Sequence, residues 1–264
     1  MTDGPTSAVE DAPSTPVLTI DGPRATIRLN RPRHLNRLQA EDLGVLIALF
    51  DRIEADESLR VLVLTGTGRA FSAGYDLGSI GGAETSPAGG AGPSFEAVAD
   101  RLEDLSLPTI CRINGGVYGG STDLALACDF RIGIDTAEMF MPAARLGLHY
   151  YPNGIKRYVS RLGLDNAKRL FLTAEKIGAA EMLRIGYLTG MVAADALDTE
   201  VDRLAALLAG NAPVAMRGMK RAINEFARGT LDDAAARRRH QDSLVGTEIG
   251  EGMKSFAEKR TPKF

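Results

Sequence analysis

Apolar residues recur along this chain in two periods. Val17-Leu18-Thr19-Ile20 and Ala25-Thr26-Ile27-Arg28-Leu29 alternate about Asp21-Gly22-Pro23, which predicts two strands joined by a hairpin turn. From Gln39 the spacing becomes helical, with Leu43, Leu46, Ile47, Phe50 and Ile53 on one face. An apolar run over 61–65 then predicts a strand. A strand near 109–113, a helix from Gly120 and a strand near 130–134 suggest a similar strand-strand-helix unit, although no repeat is visible residue by residue. After about Asn153 the pattern is helical, over 165–172, 178–185, 195–209, 213–227 and 231–241. Residues 1–15 have no periodicity and read as a disordered tail, and 78–93, rich in Gly, Ala, Ser and Pro, reads as a mobile lid or insertion. The division expected is a tail over 1–15, an α/β core over 16–200 and a helical region over 201–264.

Composition changes this picture little. The chain has 264 residues, 44% of them hydrophobic, enough for a sizeable core. A formal net charge of −3 without a long basic run argues against nucleic-acid binding. The first residues show neither a charged n-region nor an apolar h-region, and no apolar stretch reaches membrane-spanning length, so a cytoplasmic protein is expected. Cys111 and Cys128 lie in apolar runs and read as buried thiols. His34 and His240 read as surface residues, and three scattered histidines give no metal site.

The chemistry concentrates in two stretches that each read strand, glycine turn, helix: Arg69-Ala70-Phe71-Ser72-Ala73-Gly74-Tyr75-Asp76-Leu77 and Asn114-Gly115-Gly116-Val117-Tyr118-Gly119-Gly120-Ser121-Thr122-Asp123-Leu124. Glycine lets backbone approach a ligand, and the turn leaves amides free to donate. Two such turns face to face would put two N–H groups on one oxygen, the geometry of an oxyanion hole. Rival motifs fail: G-x-G-x-x-G is broken by Val117, no G-K-[ST] follows Gly66 or Gly68, and Gly119 to Asp123 is not G-x-S-x-G.

Arg69 to Leu77, Asn114 to Asp129 and the closing Glu251-Gly252-Met253-Lys254-Ser255-Phe256-Ala257-Glu258-Lys259-Arg260-Thr261-Pro262-Lys263-Phe264 resemble the crotonase (enoyl-CoA hydratase/isomerase) family. The resemblance runs from about Val17 to the C-terminus. It implies a spiral of strand-strand-helix units followed by a helical oligomerisation region, assembled as a trimer or a dimer of trimers. It also implies an acyl-CoA substrate, with coenzyme A entering as part of that substrate and no separate cofactor. By position, the amides of Tyr75 and Gly120 would hold the thioester carbonyl as it becomes an enolate. Arg33 and the backbone near Ala73 and Asp76 would meet the nucleotide end of CoA, and Phe256 and Lys259 would reach the CoA of a neighbouring subunit.

Three positions bear on the reaction. Asp123 falls where hydratases carry a catalytic glutamate and is expected to act as a general acid or base. Their second glutamate is replaced by Ala143, directly after Pro142. Hydration divides water activation and proton delivery between two carboxylates, and one is missing here. Downstream, His149-Tyr150-Tyr151-Pro152 replaces a small, glycine-rich stretch. Tyr150 matches a tyrosine of methylmalonyl-CoA decarboxylases and is expected to orient substrate, whereas Tyr151 is expected to pack the rim of the helical layer. The order of expectation is a hydratase-type lyase using Asp123, then decarboxylation of a malonyl-type thioester, then a non-catalytic acyl-CoA-binding protein.

Overall fold

A computed structural model describes residues 14–76, 78 and 92–264 of the chain. The expected tail and the small-residue segment fall mostly outside these residues. Strands β1 (Val17–Asp21) and β2 (Arg24–Leu29) form the expected hairpin. Helix α1 (Ala40–Glu54) follows, opened by a reciprocal capping box between Gln39 and Asp42. The chain then alternates between two sheets. β3 (Val61–Gly66), β5 (Thr109–Ile113) and β7 (Phe130–Ile134) lie in one, each followed by a short strand in the other: β4 (Ala70–Ser72), β6 (Gly116–Tyr118) and β8 (Glu138–Phe140). Helices α2 (Phe95–Glu103) and α3 (Ser121–Ala127) complete the first two of these turns of the spiral. The period-2 and period-3.6 patterns did not reveal α2, which opens with the Ser94 hydroxyl accepting the Ala97 N–H at 3.1 Å.

The larger sheet has the order β1-β2-β3-β5-β7-β10, with β10 at Gly190–Val192, and is parallel from β2 onward. Every residue of β3 is buried, because both faces of this sheet are covered, and a strand covered on both faces reads as an unbroken apolar run. Val61, Val63, Ile110 and Ile132 pack against Leu197, Val201, Ala205 and Leu208 of α7 (Leu197–Ala209). Leu62, Leu64, Cys111 and Ile113 face α1, α2 and α3 through Phe50, Leu102 and Leu124. Helix α7 thus belongs with the sheet, and residue 200 falls inside it. Cys111 and Cys128 are buried free thiols.

The C-terminal half is helical, as the periodicity predicts. It comprises α4 (Pro152–Leu162), α5 (Leu164–Lys168) with a π turn over Arg169–Thr173, β9 (Lys176–Gly178), α6 (Ala179–Arg184), α7, α8 (Pro213–Arg228), α9 (Asp233–Val245) and α10 (Thr247–Glu258). Among the described residues, no helix is long and apolar enough to cross a membrane.

Candidate active site

The smaller sheet has the order β4-β6-β8-β9, and its parallel register sets Ser72 beside Val117. The chain therefore leaves β4 and β6 side by side, bringing the two glycine turns together. Gly74 has φ +86°, and a Cβ there would lie 2.6 Å from the Tyr118 carbonyl oxygen and 2.9 Å from the Gly120 nitrogen. Only glycine has both the conformation and the clearance for that approach. Gly120, with φ −56°, needs clearance alone: a Cβ would meet the Phe95 ring at 3.0 Å.

Beyond Gly74 the chain pairs with Leu38, which donates to the Gly74 carbonyl and accepts from the Asp76 N–H, both at 2.9 Å. Successive amides of an extended chain point in opposite directions, so the Tyr75 N–H points away from Leu38. Among the described residues, neither the Tyr75 nor the Gly120 N–H donates a backbone hydrogen bond. An oxyanion hole requires two such donors on adjoining turns.

Sequence reading missed the side chains that brace these turns. Asn36, buried and at φ +54°, donates to the carbonyls of Thr67, Ala70 and Phe71 at 2.9, 2.9 and 3.2 Å. The Ser121 hydroxyl lies 2.8 Å from the Ser72 carbonyl of the first turn and 2.8 Å from the Tyr118 carbonyl of the second, tying one to the other.

Asp123 has no solvent exposure, and both its oxygens are occupied. Arg157, on α4, donates through Nε to Oδ1 at 3.0 Å and through Nη2 to Oδ2 at 2.9 Å, and the Tyr151 hydroxyl donates to Oδ2 at 2.5 Å. Asp123, expected to act as a general acid or base, is held in a bidentate ion pair. Arg157 also binds Asp100 and Glu103, both at 2.9 Å, and Glu103 in turn pairs with Arg161 and Arg228. Burial opposes ionisation of Glu103, yet the three guanidiniums outweigh it and hold its carboxyl below the usual glutamate range. Removing Arg157 would leave Asp123 without a cationic partner in a dry interior, a loss of about 3–5 kcal/mol in stability.

The two adjacent tyrosines form a hydrogen-bonded chain to Asp123. Tyr150 is buried, and its hydroxyl donates to that of Tyr151 at 3.1 Å. Tyr151, expected only to pack, stands between Tyr150 and Asp123, its ring stacked on Tyr150 with centroids 4.3 Å apart. Burial, followed by the negative charge of Asp123, raises the pKa of both phenols, so both stay protonated. Phe95 lies 6.5 Å from Tyr151 and 6.1 Å from Tyr75 between ring centroids, completing an aromatic wall beside the turns. Ala143 is buried and presents a methyl group. His149 is exposed, with its ring Nδ1 2.8 Å from the Tyr150 carbonyl.

Of the residues expected to bind CoA, Ala73 and Asp76 adjoin the 33–37 segment that carries Arg33, and Phe256 and Lys259 lie at the end of α10. Arg33 is exposed on a short 3-10 turn, and Asp76 pairs with Arg37 at 3.1 Å. Ala73 donates its N–H to the Leu35 carbonyl at 2.7 Å. Phe256 and Lys259 are exposed at the end of α10. A cavity of about 590 Å³ lies between α2, α4, α7 and α8, lined in part by Asp100, Glu103 and Arg157 of this network.

A strand-strand-helix spiral with two abutting glycine turns defines a class, and the comparisons agree on it. Residues 22–264 match the sequence profile "Enoyl-CoA hydratase/isomerase". The chain is 32% identical to the short-chain-enoyl-CoA hydratase of Clostridium acetobutylicum, over 92% of this chain and 95% of that one. Identity to the crotonyl-CoA hydratase of Syntrophomonas wolfei is 30%, over 91% and 94% respectively. The crystal structure of enoyl-CoA hydratase from Bacillus anthracis superposes with a TM-score of 0.83 at 28% identity, covering 95% of this chain and 98% of that one. The chain therefore belongs to the enoyl-CoA hydratase/isomerase family of enzymes.

Proposed function

We propose that this chain is a lyase acting on an acyl-CoA thioester, whose carbonyl oxygen sits between the N–H groups of Tyr75 and Gly120 while an enolate forms. The observation that carries the reading is the approach of the two turns, which sets the Gly120 nitrogen 2.9 Å from the place of a Gly74 Cβ. Oxygen gains negative charge as the enolate develops, and fixed donors placed there act without reorganisation. In this reading Arg33 and the backbone at Ala73 and Asp76 take the nucleotide end of CoA.

Two lyase reactions pass through that enolate. Hydration needs a base for the attacking water, but Ala143 supplies none and Asp123 is spent on Arg157 and Tyr151. Decarboxylation of a malonyl-type thioester needs no such base: the C–C bonding pair passes into the enolate as CO₂ leaves. The site supports decarboxylation better. Hydration is the second reading, favoured by what the relatives are named for.

We also place the chain in the cytoplasm as a trimer or dimer of trimers. Support for the assembly comes from the large apolar side chains exposed on α8 and α10, among them Ile223, Phe226, Met253 and Phe256.

The test supplies purified protein with methylmalonyl-CoA and, separately, crotonyl-CoA, and follows products by mass spectrometry. Propionyl-CoA is the expected product. Hydroxybutyryl-CoA alone would replace decarboxylation with hydration, and tight binding without turnover would make the protein an acyl-CoA carrier.

A further inference from the structure

We propose that the Tyr151 hydroxyl delivers the proton to the α-carbon of the enolate, and that Asp123 with Arg157 positions that hydroxyl instead of acting as the acid. The inference rests on the enolate reading above, and it applies to either lyase reaction because both place a proton on the same carbon.

The argument begins with what surrounds Asp123. Its carboxylate has three donors, two from Arg157 and one from Tyr151. Arg157 is itself buried, whereas Tyr151 keeps partial exposure. Tyr151 is thus the partner through which this buried pair meets the outside. Its ring adjoins Phe95, whose ring atoms come within 3.0 Å of the place of a Gly120 Cβ, so the phenol belongs to the wall beside the proposed oxyanion amides. Asp123 lies one helical turn beyond Gly120 and behind that phenol.

The proton inventory fits a donor. Tyr150 donates to the Tyr151 oxygen at 3.1 Å, and Tyr151 in turn donates to Asp123. Rotation of the Tyr151 hydroxyl about its C–O bond turns the hydrogen from Asp123 towards the site. As the enolate carbonyl re-forms, the carbon–carbon π pair takes the proton and makes the C–H bond. The O–H pair stays on Tyr151 as a phenolate that accepts the Tyr150 O–H. A phenolate beside Asp123 is unfavourable, consistent with the raised pKa of Tyr151, so it recovers a proton from water after product leaves. Over the decarboxylation cycle, one solvent proton replaces one CO₂.

The experiment runs the reaction in D₂O with whichever of methylmalonyl-CoA and crotonyl-CoA the native protein converts, and determines the configuration of the deuterated α-carbon. The native protein should give one stereoisomer. Tyr151→Phe keeps the ring stacked on Tyr150 and should mix the two configurations. Its kcat should fall in the range of about 10²–10⁴-fold typical of a lost proton-transfer group, with KM changed less than about threefold. Asp123→Asn, which retains a polar partner for Arg157, should lower kcat less while preserving the configuration. Full rate and one stereoisomer from Tyr151→Phe would overturn the proposal while leaving the acyl-CoA reading intact. Unchanged kcat in Asp123→Asn would overturn the positioning role. No conversion of either substrate by the native protein would overturn the lyase reading and this inference with it.

Discussion

The two glycine turns end neighbouring strands, yet they are held by different means. The first depends on backbone shape: Gly74 is left-handed, and Asn36, left-handed as well, gathers three carbonyls beneath the turn. The second takes its left-handed bend one residue earlier, at Gly119, which leaves Gly120 with ordinary helical angles, and it depends also on the hydroxyl of Ser121 and on the room that Phe95 leaves. Two glycines that look equivalent in sequence should therefore respond unequally to the same added methyl group.

The comparison is most easily broken at Gly74. Gly74→Ala combines strain at φ +86° with overlap on the backbone of the other turn, and should cost on the order of 3 kcal/mol and abolish turnover; denaturant unfolding and acyl-CoA turnover measure both. Asn36→Ala deprives buried carbonyls of their donor and should cost about 2 kcal/mol, read in the same unfolding experiment. Ser121→Ala removes the tie between the turns. Its cost should be about 1 kcal/mol, with kcat falling more than KM rises in steady-state kinetics, because the amides lose their mutual alignment more than the ligand loses contacts. Gly120→Ala should be mildest in stability, below about 1 kcal/mol by thermal unfolding, because its added methyl meets a side-chain ring that can turn aside. Equal losses at Gly74 and Gly120 would show that conformation at the first turn contributes nothing beyond clearance.

Much of the fold was legible because its signals are local. The hairpin at Asp21-Gly22, the apolar face of α1, the doubly buried β3 and most of the C-terminal helices all follow from spacing within a few residues. The turns were legible for the same reason. The partner of Asp123 was not: Arg157 lies 34 residues away on α4, and nothing in Lys156-Arg157 distinguishes a buried guanidinium from an exposed cation. Tyr150 and Tyr151 show a similar limit. Adjacent tyrosines at a helix entrance carry no local sign of which will reach the carboxylate, because that depends on the angle at which α4 crosses α3. Asn36 was equally silent, since its three acceptors lie 31, 34 and 35 residues ahead.

The separation between Asp123 and Arg157 also has a consequence in time. A chain growing on the ribosome at about 5–20 residues per second exposes Asp123 for about 2–7 s before Arg157 has been polymerised. Throughout that interval the nascent α3 segment carries an unpaired carboxylate that its final resting place has no water to accommodate. The helix cannot settle against the sheet in its finished form, and the wall of the site awaits a segment translated well after both glycine turns. Acquisition of activity should accordingly lag behind the appearance of the β3–β5 core during synthesis, by the time needed for α4 to emerge and dock.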